Sequence, residues 1–268
     1  MTHDPEQIGA GPRPRPARLA LASGSTSSRL RAKVPPVTNP ALTYTLEGTT
    51  AVVRMDDGKA NALSDAMIDA LLEALVRAEK EASAVVLAGR PERFSAGFDL
   101  KTMMSGPDNA KALLRRGADL LMKLYGVPLP LVIACTGHAL AGGALVVLTG
   151  DTRIGASGPY RLGLNEVSIG LPVPVLAMEL ARDRLRKSEL CRATLQAQIY
   201  TPDEALAAGY LDRVVAPDQV MAAALEEAAR LGALSKTAYA ASKTRLRGTT
   251  IAHILGSLES DMASIMAG

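Results

Sequence analysis

The chain has 268 residues, 48% of them apolar and 3% aromatic, with no Trp and two Phe; this suffices for one large domain, or a core with an appendage, but not for base-stacking platforms or aromatic cation cages. Two cysteines, Cys135 and Cys191, exclude a disulfide framework and a cysteine-based zinc site. The formal charge of +3 is uneven, +4 within residues 1–40 and −1 over the rest, so the body carries no global bias toward nucleic acid or membrane.

Residues 1–40 are rich in Pro, Arg, Ser, Ala and Gly and lack periodicity. They read as a disordered basic extension, with an organellar transit peptide as the alternative. A further alternative is an extension upstream of a natural start at Val37. Order is expected from Leu42. Leu42–Leu46 and Thr50–Met55 read as strands joined at Glu47-Gly48. Ser64 is placed to cap a helix over Asp65–Lys80, whose Met67, Ile68, Leu71, Leu72 and Leu75 share a face. Ala84–Ala88 reads as a buried strand and Asn109–Tyr125 as an amphipathic helix. Gly126 to Gly150 contains no Asp, Glu, Lys or Arg, but Pro and Gly punctuate it, which argues against a membrane span. It parses instead as a strand at Leu131–Cys135, a turn, and a buried helix from Gly142 to near Gly150. After Leu176 the pattern is almost wholly helical, with helices expected at Thr201–Gly209, Ala216–Leu234, Ser235–Leu246 and Thr250–Met266. The division expected is an extension at 1–40, an α/β core at 41–200 and a helical region at 201–268.

The sequence lacks a phosphate loop, an H-E-x-x-H helix, a G-x-S-x-G elbow and the G-x-G-x-x-G spacing. No metal site is expected, and His138, in an apolar turn, reads as structural. Three segments carry chemistry. In Phe94–Leu100 the small residues Ser95, Ala96 and Gly97 let a ligand approach the backbone, or else make a tight turn with Asp99 as an N-cap. In Gly137–Gly143 a glycine pair opens a helix, where free N–H groups suit a developing oxyanion, or simply allow close packing. Glu166 is the only ionised side chain between Arg161 and Glu179; among apolar neighbours its pKa should rise toward that of a general base, though a loop acid is the plainer reading.

Together, Lys59–Ser64 (K-A-N-A-L-S), F-S-A-G-F-D-L at Phe94–Leu100, A-L-A-G-G-A-L-V-V-L-T-G-D at Ala139–Asp151, G-L-N-E at Gly163–Glu166 and the stretch Thr201–Val215 resemble the crotonase superfamily over about residues 42–260. The resemblance implies an α/β spiral of ββα turns, a C-terminal helical oligomerisation region, and trimers or hexamers. It implies a coenzyme A thioester as ligand and no cofactor beyond it. It maps the oxyanion-hole amides to Phe98 and Gly142, and contacts to CoA or substrate to Ala60, Ala62, Leu63, Ala96, Gly97 and Asp99. Lys101, Met103 and Met104 fall where the family varies its acyl pocket, although core packing is the ordinary role of Met. Lys243 reads as an exposed helix lysine, with a CoA phosphate contact as the alternative. Cys135 and Cys191 read as core residues.

Hydratases of this family place a second glutamate soon after the helix glycines; here that position is Leu145. One base suffices to move a double bond from C3 to C2, and the motif combination is most similar to the Δ3,Δ2-enoyl-CoA isomerase branch. The expectation is an enoyl-CoA isomerase with Glu166 as proton shuttle. The alternatives are an enoyl-CoA hydratase that recruits Asp99 or another acid, and a catalytically silent acyl-CoA binder. No nucleic acid and no membrane span are expected. The expected location is the bacterial cytoplasm, with a mitochondrial or other organelle matrix as the alternative.

Overall fold

The computed structural model describes Met1, residues 37–39 and residues 41–267. Two units divide the chain, residues 1–35 and residues 36–268, and the α/β architecture belongs to the second. The expected disordered extension otherwise lies outside the described residues. Its last part does not: β1 (Val37–Asn39) is a short strand, ahead of the expected start of order at Leu42.

β2 (Leu42–Glu47) and β3 (Thr50–Met55) form an antiparallel hairpin, and β1 pairs antiparallel with β2. α1 (Asp65–Glu81) starts at Ser64, whose hydroxyl accepts from Met67 N–H at 3.3 Å. Next come β4 (Ala84–Ala88), β5 (Glu92–Ser95), the single turn α2 (Leu100–Met103) and α3 (Pro107–Gly126). β6 (Leu131–Cys135), β7 (Gly137–Leu140) and α4 (Gly142–Thr149) make the following turn of chain. β8 (Thr152–Ala156), β9 (Leu162–Gly163) and α5 (Val175–Arg184) repeat the pattern. α6 (Leu190–Thr194), α7 (Pro202–Ala208), β10 (Arg213–Val215), α8 (Val220–Gly232) and α9 (Lys236–Ala267) complete the chain.

From β4 onward each ββα turn gives its first strand to one sheet and its second to another. The large sheet runs β1-β2-β3-β4-β6-β8-β10 and the small one β5-β7-β9; the pairings among β1, β2 and β3 are antiparallel and all others parallel. This is the spiral of ββα turns that the resemblance implies. β4 and β6 are buried at every position, as parallel strands covered on both faces must be. Val85, Leu87, Leu131 and Ile133 face the main core. Val86, Ala88, Val132 and Ala134 face the other way, onto Val220, Ala224 and Ala228 of α8. At about 25 cal/mol per Å² of apolar surface, each Val, Leu or Ile side chain among these contributes on the order of 1.5–3 kcal/mol and each Ala less, so strand and helix pin one another.

The turn expected between Cys135 and Gly142 is strand β7, and β10 was not anticipated. Both are short and take their partners from distant sequence, so neither leaves a local signature. The two helices expected at Ser235–Leu246 and Thr250–Met266 are one, α9, which runs through Arg247 to Thr249 without a break. Arg247, 3% exposed, explains the continuity: its guanidinium donates to Tyr125 O (2.8 Å) and Thr149 O (3.1 Å), fastening mid-helix to the ends of α3 and α4. Lys243, 6% exposed, donates to Val127 O (3.0 Å) and Leu129 O (2.7 Å) and pairs with Asp151 (2.6 Å). It is therefore neither an exposed lysine nor free to meet a phosphate. Cys135 is buried as expected, with its thiol pushed up to about 12 by burial, whereas Cys191 is exposed. Among the described residues no helix is long and apolar enough to cross a membrane.

Candidate active site

The site begins with the loop between β3 and α1. Asn61 is wholly buried and adopts φ +52, a left-handed conformation that Asn tolerates better than most residues. Its Nδ2 donates to Met55 O (3.0 Å) and Phe94 O (3.1 Å), and its Oδ1 accepts from Asp57 N–H (3.0 Å). Ser95 Oγ donates to Asn61 O at 2.7 Å. Asn61 thus clamps the 57–63 loop onto the end of β5. Sequence reasoning reaches it only as part of a motif, although an Asn closing a D-D-G-K-A-N turn is a signal for such a conformation.

Ala60 and Ala62 are half-buried there, and Leu63 puts its side chain wholly in the core. The loop then runs beside residues 96–99. Ala96 N–H donates to Ala60 O (3.0 Å), Leu63 N–H to Gly97 O (2.8 Å) and Asp99 N–H to Leu63 O (3.4 Å). A parallel bridge of this kind engages the amides on either side of Phe98 and leaves Phe98 N–H to face away from Leu63. Gly97 has φ +95, and a Cβ there would sit 3.0 Å from Gly142 N; a Cβ on Gly142 would lie 3.3 Å from Gly97 Cα. Only glycine permits this approach, which sets the Phe98 backbone beside the first residue of α4. The Phe98 ring packs on Gly142 and on Gly117 of α3, where a Cβ would overlap it.

Gly142 N–H heads α4 and is an orphan donor at the positive end of the helix. α4 is buried at every position and carries no ionisable side chain; Leu145 is 2% exposed. Ala141, just before it, is held at φ +48, ψ −122. Its N–H donates to Gly163 O (2.9 Å). That bond, with the Leu140–Gly163 register of β7 and β9, ties the start of α4 to the loop bearing Glu166.

Glu166 opens a short 3-10 turn at Val167–Ile169 and is 9% exposed. Its Oε2 has no hydrogen-bond partner, and burial raises its carboxyl pKa above the ordinary value. Asp99 is different. Its carboxylate caps α2, accepting from Thr102 N–H (3.2 Å) and Thr102 Oγ1 (2.7 Å), and these bonds lower its pKa. Ala96 is exposed and Gly97 buried; Met103 packs against the core, while Met104 is 85% exposed. His138 is structural here: its Nδ1 accepts from Arg161 N–H (3.1 Å) and its ring meets Tyr160 edge-on at 5.5 Å.

Known proteins are similar to this chain in sequence and fold. The mitochondrial enoyl-CoA delta isomerase 1 of Homo sapiens is 30% identical over 222 residues, covering 81% of this chain and 74% of the human protein. A probable enoyl-CoA hydratase of Mycobacterium avium is 32% identical over 166 residues, 61% of this chain and 63% of that protein. The crystal structure of an enoyl-CoA hydratase/isomerase family protein from Pseudomonas syringae superposes with a TM-score of 0.82 at 38% identity, covering 84% of this chain and 98% of that one. The family profile described as enoyl-CoA hydratase/isomerase matches residues 45–260, and the chain belongs to that family.

Proposed function

We propose that the chain binds an enoyl-CoA thioester and moves its double bond from C3 to C2. The Glu166 carboxylate removes a proton from C2. The electron pair passes into the thioester carbonyl, and the dienolate oxygen is held by Phe98 N–H and Gly142 N–H. The protonated Glu166 then returns its proton to C4 as the carbonyl re-forms. CoA runs along Ala60, Ala62 and the Leu63 backbone, with Ala96 and Gly97 at the edge of its path. Asp99, occupied with its own helix, shapes the turn rather than touching the substrate.

One observation carries this reading: a single buried carboxylate with an unpaired oxygen, on a loop hydrogen-bonded to the start of a helix that has no second acid. The name of the Mycobacterium avium relative favours hydration instead. Adding water asks for a second acid–base group. With Leu145 in the core and Asp99 tied to Thr102, neither position supports it. A silent binder needs Glu166 turned to solvent, and its burial argues against that. A trimer, or a pair of trimers, is the assembly we infer from the family resemblance.

The test is a mass-balanced assay of purified protein with 3-enoyl-CoA and 2-enoyl-CoA of several chain lengths. Conversion of 3-enoyl to 2-enoyl should be the dominant reaction. Hydration of 2-enoyl-CoA as the faster reaction, or binding without turnover of either, would overturn the proposal.

A further inference from the structure

Ala141 carries the chain from strand β7 directly into helix α4, and it does so at φ +48, ψ −122. A Cβ at positive φ crowds its own backbone, so this conformation suits glycine and strains alanine. Such strain persists only where the surroundings over-determine it. Here the Ala141 N–H donates to Gly163 O (2.9 Å), and the Ala141 C=O accepts from Leu145 N–H (3.1 Å). Leu140, one residue earlier, is in register with Gly163 in the small sheet.

The consequence reaches both amides of the oxyanion hole. In a trans peptide the C=O and the N–H point in opposite directions. The Ala141 C=O points along α4 to Leu145, so the Gly142 N–H of the same peptide points out of the start of the helix. The ψ of Ala141 sets that direction. The same rule governs the Gly97–Phe98 peptide: its C=O accepts from Leu63 N–H (2.8 Å), so its N–H points away from Leu63. The Ala141 methyl links the two segments. A Cβ on Gly97 would stand 3.0 Å from Gly142 N and 3.2 Å from the Ala141 methyl, so that methyl faces the Gly97 backbone. Glycine at 141 would relieve the strain, but it would let the 141–142 peptide swing and leave a methyl-sized gap beside Gly97. Stability therefore does not account for the alanine.

We propose that Ala141 is a positioning residue for the thioester carbonyl: its strained backbone fixes the direction of Gly142 N–H, and its methyl, seated against Gly97, fixes the spacing to Phe98 N–H. Both donors are then aimed before the substrate arrives, which is the condition under which they stabilise developing charge most. This rests on Phe98 N–H and Gly142 N–H as the oxyanion hole, and not on which reaction follows.

The test is Ala141→Gly, read in two ways. First, kcat with 3-enoyl-CoA should fall by about tenfold, short of the roughly 10²–10³-fold that loss of a whole oxyanion donor costs, with KM within about twofold and no loss of melting temperature. A merely structural alanine would leave kcat unchanged or lower it together with stability. Second, hexanoyl-CoA labelled with 13C at its thioester carbonyl should show a downfield displacement of that resonance on binding the wild-type protein, and a smaller one on binding the variant. Ala141→Ser keeps a Cβ and should match the wild type in both readings. A carbonyl displacement equal in wild type and Ala141→Gly overturns the proposal, as does no displacement in the wild type, an unchanged kcat in Ala141→Gly, or an Ala141→Ser variant as impaired as the glycine one. If the isomerase reading alone is wrong, the wild type does not turn over 3-enoyl-CoA, yet the carbonyl displacement is present and shrinks in Ala141→Gly.

Discussion

Glu166 is held in a place that penalises its charge. It is nearly buried, one oxygen lacks a partner, and its carboxyl pKa is raised by desolvation. The folded pKa then exceeds the unfolded one, so the folded state binds more protons between the two values and loses stability as pH rises through them. The penalty is absent below the unfolded pKa, about 4.3, and complete above the folded pKa. Glu166→Gln should therefore gain melting temperature relative to wild type at neutral pH, and that gain should shrink on going down to pH 4. A gain that does not change with pH in thermal scans would contradict the assignment. Ala141 is a second strained position. With φ +48 and ψ −122 it occupies space that favours glycine. Ala141→Gly should stabilise by about 1 kcal/mol, relief of strain being partly offset by the freer unfolded chain. For a body of this size the melting temperature should rise by about 2–4 °C, measurable by calorimetry. Glu166 stands out in the sequence as a lone charge in an apolar stretch. Asp99 fits both a ligand contact and a helix cap by sequence, and its bonds to Thr102 favour the cap.

The element that most needs explanation is α9. It is a weakly amphipathic helix fixed to the body by buried charge. Asp151, between α4 and β8, accepts from Leu131 N–H (2.7 Å) and pairs with Lys243 (2.6 Å) and Arg247 (2.9 Å). The Arg247 guanidinium also stacks on the Tyr125 ring at 4.2 Å. Burial brings the Lys243 ammonium down to about 8, against the opposing pull of Asp151. Removing the shared anion strands two buried cations. Asp151→Asn should cost about 3–5 kcal/mol, visible as an earlier urea midpoint, and a loss below about 1 kcal/mol would show that the network is dispensable. Elements with their own periodicity were legible: α1, α3, β4 and β6 follow from apolar spacing, and α7 from its Thr201 cap and Gly209 stop. β7, β10 and the continuity of α9 were not, because distant partners decide them.

At the scale of the molecule, the two sheets bring three separate stretches of sequence together. Residues 60–63 lie along 96–99, Gly97 abuts Gly142, and Gly163 is bonded to Ala141. No one stretch carries the chemistry, which explains why the motifs are ambiguous singly and point to one family together. The surface also bears large exposed apolar side chains, among them Val167, Ile169, Leu171, Leu195 and Leu255. Their burial between subunits fits the inferred trimer or pair of trimers. Sedimentation velocity should give three or six times the chain mass, and a monomer at micromolar concentration would count against that assembly.

The proton shuttle is tested most directly by Glu166→Gln assayed with 3-enoyl-CoA, alongside direct measurement of acyl-CoA binding. The Gln side chain keeps the shape and removes the base. The account predicts a fall in kcat of about 10²–10⁴-fold, with acyl-CoA affinity within about twofold of wild type. Turnover close to that of the wild-type protein would contradict it.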